Sequence, residues 1–145
     1  MSEKKTVNAI SKKKLMVLLL LVAIILIAFF AISKIYTNHI HKAIIGKTFS
    51  GEYVYNSDYG KLIHTYKLQI IDSEKGYWHT TLDDPIADKY WHPLEDGNVS
   101  YQIKGNLFGV VLVLKPDDFY LLEDNWSVKN QGRYLEWGGT ILYSN

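Results

Sequence analysis

The chain has no cysteine, a single arginine (Arg133) and only three prolines among its 145 residues. Without cysteine there is no disulfide framework, no thiolate nucleophile and no lipid-modified cysteine anchor. Small extracellular domains of eukaryotes usually carry disulfides, so a cysteine-free outer domain points to a bacterial source. Catalytic signatures are missing as well. No serine sits in a Gly-x-Ser-x-Gly elbow, and no phosphate loop or glycine-rich dinucleotide turn occurs. Residues 15–32 contain no glycine, which excludes a Gly-x-x-x-Gly packing motif there. An excess of positive charge is also lacking beyond the N-terminal third. Residues 1–44 hold seven Lys and one Glu, a net of +6. Residues 45–145 hold eight Lys and one Arg against nine Asp and five Glu, a net of −5. A domain of that sign has no general attraction for nucleic acid.

What is present begins with a hydrophobic run. Residues 15–32 are 18 consecutive apolar residues, of which 14 are Leu, Ile, Val or Phe. At the per-residue gains of such side chains, insertion into a bilayer is favoured by roughly 4–8 kcal/mol. As a helix the run is about 27 Å long, near the hydrocarbon thickness of about 30 Å. The sequence thus predicts a single-pass transmembrane helix over 15–33, contacting the lipid bilayer. Lys4, Lys5, Lys12, Lys13 and Lys14 precede it, against Lys34, Lys42 and Lys47 just after it. The positive-inside rule places the tail 1–14 in the cytoplasm and the C-terminal domain outside the cell membrane. Small residues at Ala31 and Ser33 would permit cleavage after Ser33. The run, however, exceeds the 7–15 residues of a secretory signal, so an uncleaved signal-anchor is expected. A preference for Lys over Arg, with many Ile, Tyr and Asn, suits a Gram-positive bacterium.

Residues 34–46 continue a helical stripe through Ile35, Tyr36, Ile40, Ala43 and Ile44 up to Gly46, and read as a juxtamembrane stem. From residue 47 the period changes from 3.6 to 2. Tyr66, Leu68 and Ile70 alternate with polar residues, as do Val99, Tyr101 and Ile103, and Trp126 and Val128. Residues 107–114 are apolar on both faces. Turn signals fall at Asp58-Tyr-Gly60, 72–76, Asp96-Gly-Asn98, Gly105-Asn106, 116–118, Asp124-Asn125 and 130–132. Seven or eight short antiparallel strands in a meander are expected over 47–145, as a barrel or a sandwich; the fold class is mainly β. Closure is favoured because it leaves no free strand edge.

The opening Gly46-Lys-Thr-Phe-Ser-Gly51 followed by a meander resembles a calycin or lipocalin barrel at the level of architecture. The Gly-x-Trp of lipocalins is missing, and Phe49 stands nearest its role. The resemblance implies a topology and carries no ligand with it.

Candidate sites come from loops and aromatics. The longest irregular stretch, 83–93, holds Asp83, Asp84, Asp88, Tyr90, Trp91 and His92. Its acidic spacing matches no calcium loop, so a solvated loop is expected, and neither a metal nor a cofactor is. The histidines at 39, 41, 64, 79 and 92 show no zinc spacing. Carboxylate pairs occupy turns, and Glu52 with Glu136 carries no special signature, so no enzyme is expected. Residues 45–145 contain ten Tyr, four Trp and three Phe. Most belong in a core, while exposed ones suit protein or sugar partners. Tyr53, Tyr55, Tyr59, Asp84, Asp88, Tyr90, Trp91 and His92 are the residues expected to meet a partner. The reading is a membrane-anchored binding module with an unidentified protein or cell-envelope partner. Its alternative is a small-molecule carrier, or a ligand-dependent enzyme, using the barrel interior.

Overall fold

A computed structural model describes residues 12–57, 60–83, 96–106, 109–118 and 125–145. One long helix, α1 (Lys12–Ile44), leads into eight strands: β1 (Thr48–Ser57), β2 (Gly60–Ile70), β3 (Lys75–Asp83), β4 (Asp96–Asn106), β5 (Gly109–Pro116), β6 (Asn125–Lys129), β7 (Tyr134–Trp137) and β8 (Thr140–Ser144). No glycine or proline interrupts α1, so nothing breaks its hydrogen-bond ladder. It is long and apolar enough to cross a membrane, with none of its most apolar window buried in the fold. The expected span and stem are therefore one continuous helix.

Every strand pairs antiparallel with its sequence neighbour, and β1 also pairs with β8, closing an up-and-down barrel. The period-2 pattern does this work. Tyr66, Leu68 and Ile70 of β2 point inward, as do Val99 and Tyr101 of β4, and Val110, Leu112 and Leu114 of β5. Between barrel and sandwich, the barrel is the outcome. The expected turn at 96–98 is corrected, because all three residues lie inside β4, where Asp96 pairs with His79 and Asn98 with Tyr77. A turn that the strand patterns alone do not reveal separates β7 from β8. There Gly138 (φ 52°) and Gly139 (φ 91°) occupy left-handed backbone that residues with a Cβ resist.

The register assigns each turn to an end of the barrel. The near end, where α1 arrives, carries the β2–β3 connection at 71–74, the β4–β5 hairpin and the β6–β7 turn at 130–133. The far end carries the β1–β2 hairpin, the ends of β3 and β5, the starts of β4 and β6, and the β7–β8 turn.

Helix α1 closes the near end. Ile40 and Ile44 belong to the same buried cluster as Phe49, Leu68 and Trp78. Three polar contacts tie this stem down. The Gly46 N–H donates to the Ile70 carbonyl at 3.0 Å, and the Lys47 ammonium donates to the Gly132 carbonyl at 2.9 Å. His41 Nε2 lies 2.9 Å from the Ser73 carbonyl and 3.2 Å from the Tyr101 hydroxyl. That hydroxyl donates to the Asp72 carbonyl at 2.6 Å, so Nε2 is the protonated nitrogen and donates to Ser73. One turn earlier, α1 runs along the end of β4. A Cβ at Gly105 would meet the Thr37 hydroxyl, which itself donates to the Ser33 carbonyl at 2.8 Å. Only a glycine lets strand and helix come this close.

Candidate functional site

With the near end sealed, the far end of the barrel is where interior-facing groups meet solvent. Strand β1 runs in unbroken register with β2, from Thr48 opposite Gln69 to Ser57 opposite Gly60. Alternate residues of a strand share a face, so buried Phe49 puts Tyr53 and Tyr55 on the interior side. Their cross-strand neighbours are His64 and Leu62. Yet Tyr53 is 45% and Tyr55 55% exposed, because bridges to β8 are made only at Phe49 and Ser50 and β1 continues past that seam. The two tyrosines therefore stand at the mouth, on the inner face of a projecting hairpin.

Below them the rings form a connected column. The His64 and Tyr66 ring centroids are 4.2 Å apart, with the Tyr66 hydroxyl 2.8 Å from His64 Nδ1. Tyr66 contacts Trp78 at 5.8 Å and Trp126 at 6.5 Å. Trp78 and Trp126 are 5.8 Å apart, and Trp126 reaches Trp137 at 6.3 Å. Exposure rises along this column from 0% at Trp78 and Trp126 to 37% at Trp137. Tilted and edge-on pairs at such separations are favourable arrangements of aromatic quadrupoles. The middle of the barrel is thus filled by indole and phenol, which weighs against a ligand held deep inside. Its mouth presents Tyr53, Tyr55, His64 and Trp137, a set suited to stacking and hydrogen bonding.

Tyr59, Asp84, Asp88, Tyr90, Trp91 and His92 lie outside the described residues, as do Leu107 and Phe108. The strands flanking residues 58–59 and 84–95 end at the far mouth, the same end as Tyr53 and Tyr55. Cross-strand register is what the sequence alone does not supply. His64 and Trp137 join the mouth through register, with buried Tyr66 beneath them, and Trp137 sits one residue before the Gly138-Gly139 turn.

Other ionisable groups of the described residues lie off the aromatic column. His79 Nδ1 is 2.9 Å from Asp96 Oδ1 on the outer wall, both half exposed. Hydrogen bonds from His79 and then Tyr77 hold the Asp96 carboxyl below its ordinary value, and the same carboxylate raises the Tyr77 phenol. Backbone N–H groups of Glu74 and Lys75 lower Asp72 in the β2–β3 turn. Burial, followed by the charge of Asp72, pushes Tyr101 up to about 12. Among the described residues no three His, Asp or Glu side chains converge as a metal site would require. Glu136 is turned toward Lys129, 3.8 Å away.

Comparison with known proteins returns no family model, no curated sequence and no solved structure similar to this chain.

Proposed function

We propose that this chain is a tethered binding module. Helix α1 anchors it in a bacterial cell membrane, the N-terminus lies in the cytoplasm, and the barrel offers its far mouth to a partner in the cell envelope. One observation carries the reading. The stem of α1 plugs one end of the barrel, while Tyr53, Tyr55 and Trp137 stand exposed on the interior-facing side at the other; the exposed Tyr77 and Tyr143 lie on the outer wall. Tyr and Trp on a rigid scaffold give large contact area at small entropic cost, which is why they dominate the energetic centres of interfaces. The acidic balance of the barrel domain favours a neutral or cationic partner, such as a protein or a wall polymer.

Two experiments in intact cells test it. A cysteine placed at Asp118, exposed beside the far end, is expected to react with a membrane-impermeant maleimide without lysis. A photo-crosslinking residue at Tyr55 or Trp137 is expected to capture a discrete partner, and one at Gln102 on the outer wall is not. Labelling only after lysis refutes the orientation. Adducts at Gln102 with none at Tyr55 or Trp137 refute the mouth as the binding face.

A further inference from the structure

Between α1 and the strands at the near end runs a groove in two adjoining parts. The lower part, about 230 Å³, is lined by Phe29, Ile32, Thr37 and Val110. The upper part, about 270 Å³, is lined by Val111, Ser127, Lys129 and Asn130. Tyr36, Gly109 and Val110 border both parts, so the two adjoin along the helix. The groove's character changes along its length. Phe29 and Ile32 belong to the apolar run of α1, whereas Lys129 ends β6 and Asn130 opens the β6–β7 turn.

The surroundings share this polarity. Among the described residues, most cations of the barrel lie at the near end, with Lys47, Lys75, Lys104, Lys129 and Arg133 on near-end turns or near strand ends, against Lys61 and Lys115 at the far end. Lys34 and Lys42 add to them from α1 itself. Asp72 and Glu74 on the β2–β3 connection, and Glu136 beside Lys129, are the carboxylates that face them. Although the domain as a whole is acidic, the end next to α1 is basic. A basic surface just outside a membrane-spanning helix attracts anionic headgroups, by about 1 kcal/mol for each Lys or Arg near the surface.

We infer that this groove holds an anionic phospholipid of the surrounding bilayer, its acyl chain against Phe29, Ile32 and Val110 and its phosphate at Lys129. The inference rests on α1 spanning the membrane. In that setting the lower part opens onto hydrocarbon, where a lipid chain is its natural occupant. The upper part places an ammonium, a serine hydroxyl and an asparagine amide about where a headgroup lies. Tyr36, between the two, stands at the interfacial level that tyrosine favours. Lys129 is available for the phosphate because its contact with Glu136 is a long, half-exposed ion pair, a kind that contributes little. The bound lipid would wedge the barrel wall against the helix and extend the stem's grip on the near end.

The full-length chain is reconstituted in vesicles of equal parts phosphatidylcholine and phosphatidylglycerol, floated on a density gradient, then gently extracted. Its retained lipids are identified by native mass spectrometry. The expected result is co-flotation together with a retained phosphatidylglycerol-to-phosphatidylcholine ratio about fivefold above that of the vesicle, the factor one lysine contact supplies. Lys129→Glu and the groove-filling Ser127→Trp should both abolish the enrichment, while Lys67→Glu, on a different strand, should keep it. Fluorescence from the buried Trp78 and Trp126, together with flotation of each variant, establishes that the protein is still folded and inserted. Co-flotation without enrichment, or enrichment untouched in Lys129→Glu and Ser127→Trp, overturns the lipid site and leaves the anchor standing. Failure of the wild-type chain to float overturns the anchor, and the lipid site with it.

Discussion

Replacing Ile44 with alanine tests whether α1 is a structural part of the barrel. Ile44 is the last residue of the helix and is completely buried in the cluster that includes Ile40. Truncating a buried isoleucine costs about 2–5 kcal/mol, the transfer free energy of the lost carbons plus the cavity left behind. The upper half of that range fits here, because strands with closed hydrogen-bond ladders on both sides collapse poorly into a void. A domain of this size has about 5–15 kcal/mol of stability in total, so one side chain would remove a large share. At about 4–8 °C for each kcal/mol, the thermal midpoint should fall by about 14 °C or more.

The assay is thermal unfolding of the full-length chain in detergent micelles, followed by the fluorescence of Trp78 and Trp126 as they lose burial. Ile45→Ala serves as the control. Ile45 is the next residue but is 40% exposed, so its truncation should stay within about 0.5 kcal/mol. The double variant Ile40→Ala/Ile44→Ala should lose less than the sum of its parts, because the two side chains share one cavity. If Ile44→Ala is no more damaging than Ile45→Ala, the barrel is self-sufficient and the plug is an accident of proximity.

Three further outcomes follow from the same contacts. Gly105→Ala should destabilise by about 1–3 kcal/mol through collision with Thr37, and Thr37→Ala in the same chain should restore most of it, as a double-mutant denaturation cycle would record. Gly139→Ala forces a Cβ into left-handed backbone and should cost about 1–2 kcal/mol, seen as an earlier denaturant midpoint at unchanged slope. The Tyr101 phenol, raised from an ordinary 10.0 to about 12 by burial and then by the charge of Asp72, contributes stability that is fully present below about pH 10. That contribution is lost as the pH rises through the folded value of about 12. Wild-type stability should therefore decline across this window, and Tyr101→Phe should flatten the decline while lowering stability at neutral pH through the lost bond to Asp72.

The sequence carries the elements better than their arrangement. Tyr66, Leu68 and Ile70, and Val99 and Tyr101, announce their strands because one wall of a barrel is wet and the other dry. The apolar run of α1 is unmistakable for the same kind of reason, since burial and lipid both select by transfer free energy. What depends on pairing across the chain is far less legible. Asp96-Gly97-Asn98 has turn chemistry, but its partners Tyr77 and His79 hold it in β4, where strand pairing overrides local preference. Trp137 and Tyr53 reach the same mouth only because β1 closes onto β8, a contact between opposite ends of the domain. The stem stripe Ile40/Ile44 fits a bilayer surface as well as a barrel base, and only the location of a complementary apolar opening decides between them.

Those long-range contacts set how the mouth is held. A flexible linker would let a barrel wander over the membrane, whereas here helix and sheet share a core and are pinned at His41, Gly46 and Lys47 as well. The 11 residues of β2, tilted as barrel strands are, raise the far mouth roughly 25–30 Å above the near end. With α1 in a membrane, Tyr53, Tyr55 and Trp137 would then stand at a fixed, short height over the headgroups. That geometry discriminates among partners. A soluble molecule gains little from being met at one height, but a neighbouring membrane protein or a polymer attached to the bilayer is met there repeatedly. For such a partner, fixing height and direction removes most of the orientational entropy that a freely tethered domain would lose on binding. Under the proposed binding role, and with α1 in a membrane, a plugged base and a fixed mouth would favour a partner that is itself bound at the membrane.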